Sequence, residues 1–309
     1  MAKLTSRVQN ALDEDRILIL GVQILIGFGF RAFFESGFDE LPPSAQTAQL
    51  CSLVLLAVAF GLLVAPTPFH QLVENGTDTE RTVRTASGCA AAALLPFALS
   101  LGLDLMVAAP RVAGLGARGG LVAGGAAAVV ALACWYLLPA LRRRPPHRED
   151  DMPETTPIDK KIRHVLTEAR MVLPGVQALL GFQLAVTLMQ TFQKLPRNAQ
   201  WLHLVDILLT ALAVVLLIAP AAYHRIAERG EETTRFHRVA SRFVLGAMVP
   251  LALALSGDLA LVAFKLTERV RPAALVGGAA LVLFGMLWLA WPLTARGPKR
   301  RPARAPAHA

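Results

Sequence analysis

Cysteine is scarce: Cys51, Cys89 and Cys134 are the only three in 309 residues, and their spacing matches no metal or redox motif. All three fall inside apolar stretches and read as small packing residues. Segments of about ten alternating residues, the signature of a transmembrane barrel, are missing. So are a Walker loop, a GxSxG elbow, an HExxH helix and a CxxC pair. These absences speak against an enzyme built on any of those motifs, and no metal or cofactor is expected. Asp13, Glu14 and Asp15 precede the first apolar block and no small-residue cleavage site follows it. The first helix is therefore expected to remain as an anchor.

What fills the chain is apolar. Hydrophobic residues make up 54%, and the mean hydropathy of +0.49 is too high for an ordinary soluble domain. They gather in eight blocks, 17–37, 48–68, 85–108, 119–140, 171–192, 201–222, 240–264 and 272–293. Each has roughly the 20 residues that cross a bilayer core as helix. Residues 21–107 recur at 175–261 without a gap, at an offset of 154, with 34 of 87 aligned positions identical. The expected fold is an all-α membrane protein, eight transmembrane helices as two parallel four-helix repeats. An even number of spans per repeat makes the copies enter the membrane in the same orientation. The first repeat covers 17–140 after a polar lead over 1–16, and the second covers 158–293. A charged, proline-bearing linker (141–157) joins them, and a basic tail (294–309) follows. Gly116, Gly120 and Gly124 in the fourth block, and Ala274 and Gly278 in the eighth, are spaced for close helix packing.

The net charge of +9 does not call for a nucleic acid. With the N-terminus inside, 23 of the 31 Lys and Arg fall on cytoplasmic segments and seven on external loops, with Arg31 in a span. That bias leads us to expect both termini in the cytoplasm of a multi-pass protein, and abundant Ala with Arg favoured over Lys suggests a bacterial source, hence the bacterial inner (plasma) membrane. Trp135, Trp288 and Trp291 near the inner surface, and Trp201 near the outer, are expected in interfacial belts. The basic linker and tail should meet anionic headgroups of the lipid bilayer at about 1 kcal/mol per charge.

The kept words are GVQ-x-L-x-GF, an LP turn, L-x-AP-x-x-[FY]H and R-x-x-R-x-AS. They resemble the uncharacterised bacterial membrane family DUF6328, whose members mostly hold one such unit. The resemblance covers both repeats and implies a membrane protein.

Among kept residues, Asp104 and Asp258 lie within their spans, each followed by more apolar sequence. A carboxylate there is costly unless it binds a proton or cation, meets a partner helix or reaches interfacial water. Asp206 is a candidate neighbour, although its counterpart is Ser52. Pro96 and Pro250, eight residues earlier, are candidate helix kinks. His70 with Arg81 and Arg84, and His224 with Arg235 and Arg238, form a candidate cytoplasmic anion or lipid contact. Glu74 and Glu228 are kept beside those arginines and can pair with them. Gln23 and Gln177 suit interhelical hydrogen bonds, and Arg31 with Glu35 suits an i,i+4 pair. Three functional classes stay open: a small-ion or solute transporter, a structural or lipid-contacting membrane protein, and a membrane enzyme with a cytoplasmic His/Arg site. A small cation or proton, and further copies of the chain, are the remaining partners to consider.

Overall fold

The computed structural model describes residues 2–77, 79–113, 116–141, 157–226 and 233–295, and among them there is no strand. The expected linker and tail therefore lie almost wholly outside the described residues. Helix α1 (Ala2–Ala32) turns through Phe33–Glu35 into the single-turn α2 (Ser36–Asp39). Pro43 then starts α3 (Pro43–Val64), where a proline gives up only an N–H that a helix start leaves unbonded. Pro66 begins α4 (Pro66–Leu72), which extends α3 into one 30-residue apolar span. The half closes with α5 (Glu80–Ala113), α6 (Ala117–Leu132), a π-helical turn over Ala133–Leu137 and α7 (Leu138–Leu141). The other half runs α8 (Ile158–Val186), α9 (Gln190–Gln193), α10 (Arg197–Ile226), α11 (Thr234–Thr267), α12 (Val270–Gly285), a second π turn (Met286–Ala290) and α13 (Trp291–Ala295).

Element starts echo the sequence offset. The pairs α2/α9, α3/α10 and α5/α11 begin 154 residues apart, and α6/α12 begin 153 apart. The loop before α12 is one residue shorter, so Gly277, not Gly278, is the counterpart of Gly124. Contacts agree: a Cβ on Gly277 would press on Ala260, whereas Gly278 faces open space.

Among the described residues seven helical segments are long and apolar enough to cross a bilayer: Pro43–Leu72, Glu80–Pro110, Ala117–Leu137, His164–Val186, Arg197–Ala221, Thr234–Thr267 and Val270–Ala295. The expected eighth, 17–37, falls short as a span, because its apolar helix covers only Leu18–Ala32 before the chain turns towards α2. The described residues form a multi-pass helical bundle.

The two halves share one core. In α1, Gln23 packs on Gly175 of α8, and the Phe28 and Phe182 rings lie 4.6 Å apart. Across the same core Trp288 is buried in the bundle: its indole N–H donates to the Gly61 carbonyl at 2.9 Å and its ring meets Phe60 edge-on. Its counterpart Trp135 stacks instead on Phe97 of its own half and stays half-buried. Asp39 pairs with Lys265, and Phe69 packs on Trp291.

Helices α5 and α6 touch backbone to backbone. A Cβ on Gly124 would overlap the Gly102 carbonyl, so only glycine fits at this approach. Gly124→Leu should therefore destabilise the bundle by about 1–3 kcal/mol, the usual cost of overpacking. Gly125→Leu points into open space and should stay within about 0.5 kcal/mol. Thermal melts of the two variants in detergent decide this; equal losses would show that α5 and α6 do not pack this way in solution.

Candidate functional site

The two kept aspartates have different surroundings. Asp104 is half-buried and served by hydroxyls: Ser52 Oγ donates to its Oδ1 at 2.7 Å, and Ser52 is in turn 2.8 Å from Ser100 Oγ. A short hydroxyl chain of this kind satisfies a carboxylate within one repeat.

Asp258 sits among acceptors. It is 4% exposed on α11 and receives one hydrogen bond, from Gln183 Nε2 of α8 to Oδ2 at 2.7 Å. Two more buried groups approach from α10: His203, whose Nδ1 lies 3.8 Å from Asp258 Oδ1, and Asp206. One ligand atom from each of His203, Asp206 and Asp258 can be chosen so that all lie within 4.8 Å of one another. His203 Nε2 meets the Gln183 backbone carbonyl at 3.0 Å. A carbonyl only accepts, so Nε2 carries the proton and Nδ1 of the neutral ring presents a lone pair. Four buried atoms lack a hydrogen-bond partner here: His203 Nδ1, Asp206 Oδ2, Asp258 Oδ1 and Gln183 Oε1. With the imidazole neutral and both carboxylates ionised, all four are acceptors.

Packing accounts for this convergence. Asp206 lies nine residues into α10 and Asp258 nine before the end of α11. Both are thus about 13 Å along their helices from the same end of the bundle. Gly257 lets α10 close in, because a Cβ there would land on the Asp206 carboxylate. Phe30 of α1 stacks on the His203 ring at 5.6 Å, and Phe192 of α9 packs on it at 5.1 Å. The first repeat therefore supplies part of the lid over a site in the second.

At offset 154 the partners of Asp258 have unlike counterparts. Gln183 answers to Gly29, His203 to Gln49, Asp206 to Ser52 and Gly257 to Leu103, while the aspartate itself is kept. Sequence reasoning noted Asp206 and passed over His203, Gln183 and Gly257. The signal available was His-x-x-Asp, an i,i+3 pair on one face of an apolar helix, together with this clustering of differences.

The other candidates are placed apart. Asp104 and Asp258 share no partner among the described residues. Pro96 and Pro250 are buried inside α5 and α11, each of which runs on as one helix. His70 is fully buried at the contact with α8, where its Nδ1 is 2.6 Å from Glu168 Oε1. Arg81 and Arg84 are exposed, with Arg81 4.0 Å from Glu74 and its guanidinium over the Phe69 ring. Arg235 and Arg238 are exposed on α11; the His224 side chain lies outside the described residues. Arg31 and Glu35 form their pair at 2.8 Å, and Gln23 is buried while Gln177 is exposed.

A family model, described as a family of unknown function (DUF6328), matches residues 2–139 and again 152–292. The chain belongs to DUF6328. The two matches are consistent with a tandem duplication, so this DUF6328 protein holds two family units and the cluster around Asp258 lies within the second. No curated protein and no solved structure matches the chain.

Proposed function

We propose that this DUF6328 protein carries a small cation across the membrane through the carboxylate site of its second repeat. The observation behind the reading is the imbalance around Asp258: two carboxylates, an imidazole lone pair and an amide oxygen, buried together with one amide donor. Buried negative charge without a partner costs several kcal/mol, and a bound cation removes that cost. A purely structural role would be served by the hydroxyl arrangement around Asp104.

The proposed frame is eight spans in two parallel repeats. Gln23 beside Gly175 and Phe28 beside Phe182 mean that α1 and α8 advance in the same direction. The apolar part of α1, Leu18–Ala32, would be the shortest of the eight spans. With the basic loops cytoplasmic, the site lies towards the outer face. It is closed on all sides, as a carrier is between its two open states, and release requires α10 and α11 to part. The apolar groove of about 320 Å³ between α3 and α11–α12, lined by Val54, Ala57, Leu259 and Leu275, suits an acyl chain and not an ion path.

The test is flux in proteoliposomes with a panel of monovalent and divalent cations. Wild type and Asp104→Asn should move at least one of them, and Asp258→Asn should not. Inserted wild type that moves none would overturn the transport reading in favour of a structural role, and flux indifferent to Asp258 would overturn the assignment of transport to this carboxylate site.

A further inference from the structure

We infer that the second repeat binds a divalent first-row transition-metal ion, of the zinc or manganese kind, through His203 Nδ1 and one oxygen each of Asp206 and Asp258, with Gln183 Oε1 at hand as a fourth donor. This names the ion for the site in the transport reading and rests on that reading only for the ion's movement; binding stands by itself.

Charge comes first. Once both aspartates give up their protons to a metal they carry −2, so a divalent ion brings the buried site to neutrality, whereas sodium or potassium leaves one uncompensated charge. Donor chemistry comes second. An imidazole nitrogen beside carboxylates suits zinc, manganese and their neighbours; calcium and magnesium take oxygen alone, and monovalent copper prefers sulfur. Geometry is third. Ligand atoms about 2.1 Å from a tetrahedral ion are about 3.4 Å apart. The 3.8 Å between His203 Nδ1 and Asp258 Oδ1 needs only a small closure to reach that, and the whole set lies within 4.8 Å.

The groups behind the donors are those a metal site requires. Gln183 acts twice: its carbonyl fixes the His203 tautomer, and its amide N–H holds Asp258 Oδ2, which leaves Oδ1 aimed at the centre. Phe30 and Phe192 wall the imidazole and exclude water, which strengthens every charge–charge interaction inside. Gly257 gives Asp206 its place. The counterparts in the first repeat, Gly29, Gln49, Ser52 and Leu103, supply none of these features, so one ion per chain is expected.

Cobalt is the probe, because its visible absorption reports tetrahedral nitrogen–oxygen ligation directly. Tag-free wild type in detergent should bind one Co²⁺ per chain, displaced by Zn²⁺ or Mn²⁺ and not by excess Na⁺ or K⁺. Asp206→Asn, Asp258→Asn and His203→Gln should each weaken binding by more than the roughly 10–100-fold that loss of an outer-shell partner costs. Asp104→Asn should bind as wild type. Folded wild type that binds none of the three metals overturns the assignment without recourse to any variant, as does binding that survives Asp258→Asn. Paired with flux, the outcomes separate. Protons or monovalent ions moving through Asp258 with no metal bound would overturn the metal and leave transport standing. One tightly held metal with no flux of any cation would uphold the metal and remove transport.

Discussion

Glu168→Ala is expected to cost several kcal/mol of stability, because each buried hydrogen bond lost to a carboxylate costs about 1–3 kcal/mol. Glu168 is fully buried on α8 and accepts from His70 Nδ1 at 2.6 Å and from Gln71 Nε2 at 2.5 Å, both on α4. Ser241 of α11 completes the set by donating to Gln71 Oε1 at 2.6 Å. The carboxylate ties α4 of the first repeat to α8 of the second, and Gln71 carries the link on to α11; alanine would remove the acceptor that His70 Nδ1 and Gln71 Nε2 share. Glu168→Gln keeps one acceptor oxygen and should lose less. Arg31→Ala, which breaks a pair with about half of each side chain exposed, should change stability by less than about 1 kcal/mol. Thermal unfolding of the three variants gives the order; equal losses for Glu168→Ala and Arg31→Ala would show that the polar tie between repeats is not formed.

The second large effect changes sign with the ion. Without divalent metal, Asp206→Asn should be neutral or stabilising, because it relieves two buried carboxylates with oxygens within 4.8 Å of one another. With metal at about 100 times its dissociation constant, wild type should gain about 2.7 kcal/mol and the variant almost nothing. Melting curves with and without metal show this as lines that cross. Parallel lines, with Asp206→Asn less stable in both conditions, would mean that the carboxylate serves packing and not an ion.

Much of the frame was legible because membrane physics writes itself along the chain. Span length and the repeat both have periods or runs that a one-dimensional reading detects. The glycine contact was off by one in the second half, since a single residue lost before α12 moves the register from Gly278 to Gly277, and identity fades there. Trp288 was expected at an interface because tryptophan prefers one. Nothing local shows that the Gly61 carbonyl, 227 positions away, satisfies its N–H. The site was half legible for a related reason. Asp258 stood out because it is kept in an apolar helix, yet its partners are the residues that changed between repeats. A search for residues kept in both copies passes over His203 and Gln183, and Asp206 enters only as a neighbour of the kept aspartate. The first repeat retains the carboxylate and satisfies it with serines; the second has gathered acceptors around it.

Metal content of the purified protein tests that asymmetry most directly, by elemental mass spectrometry after equilibration with Zn²⁺ or Mn²⁺ and removal of loose ion. The account predicts one ion per chain in wild type and in Asp104→Asn, and none in Asp258→Asn. No ion in wild type, or two ions reduced to one by either substitution, would contradict it.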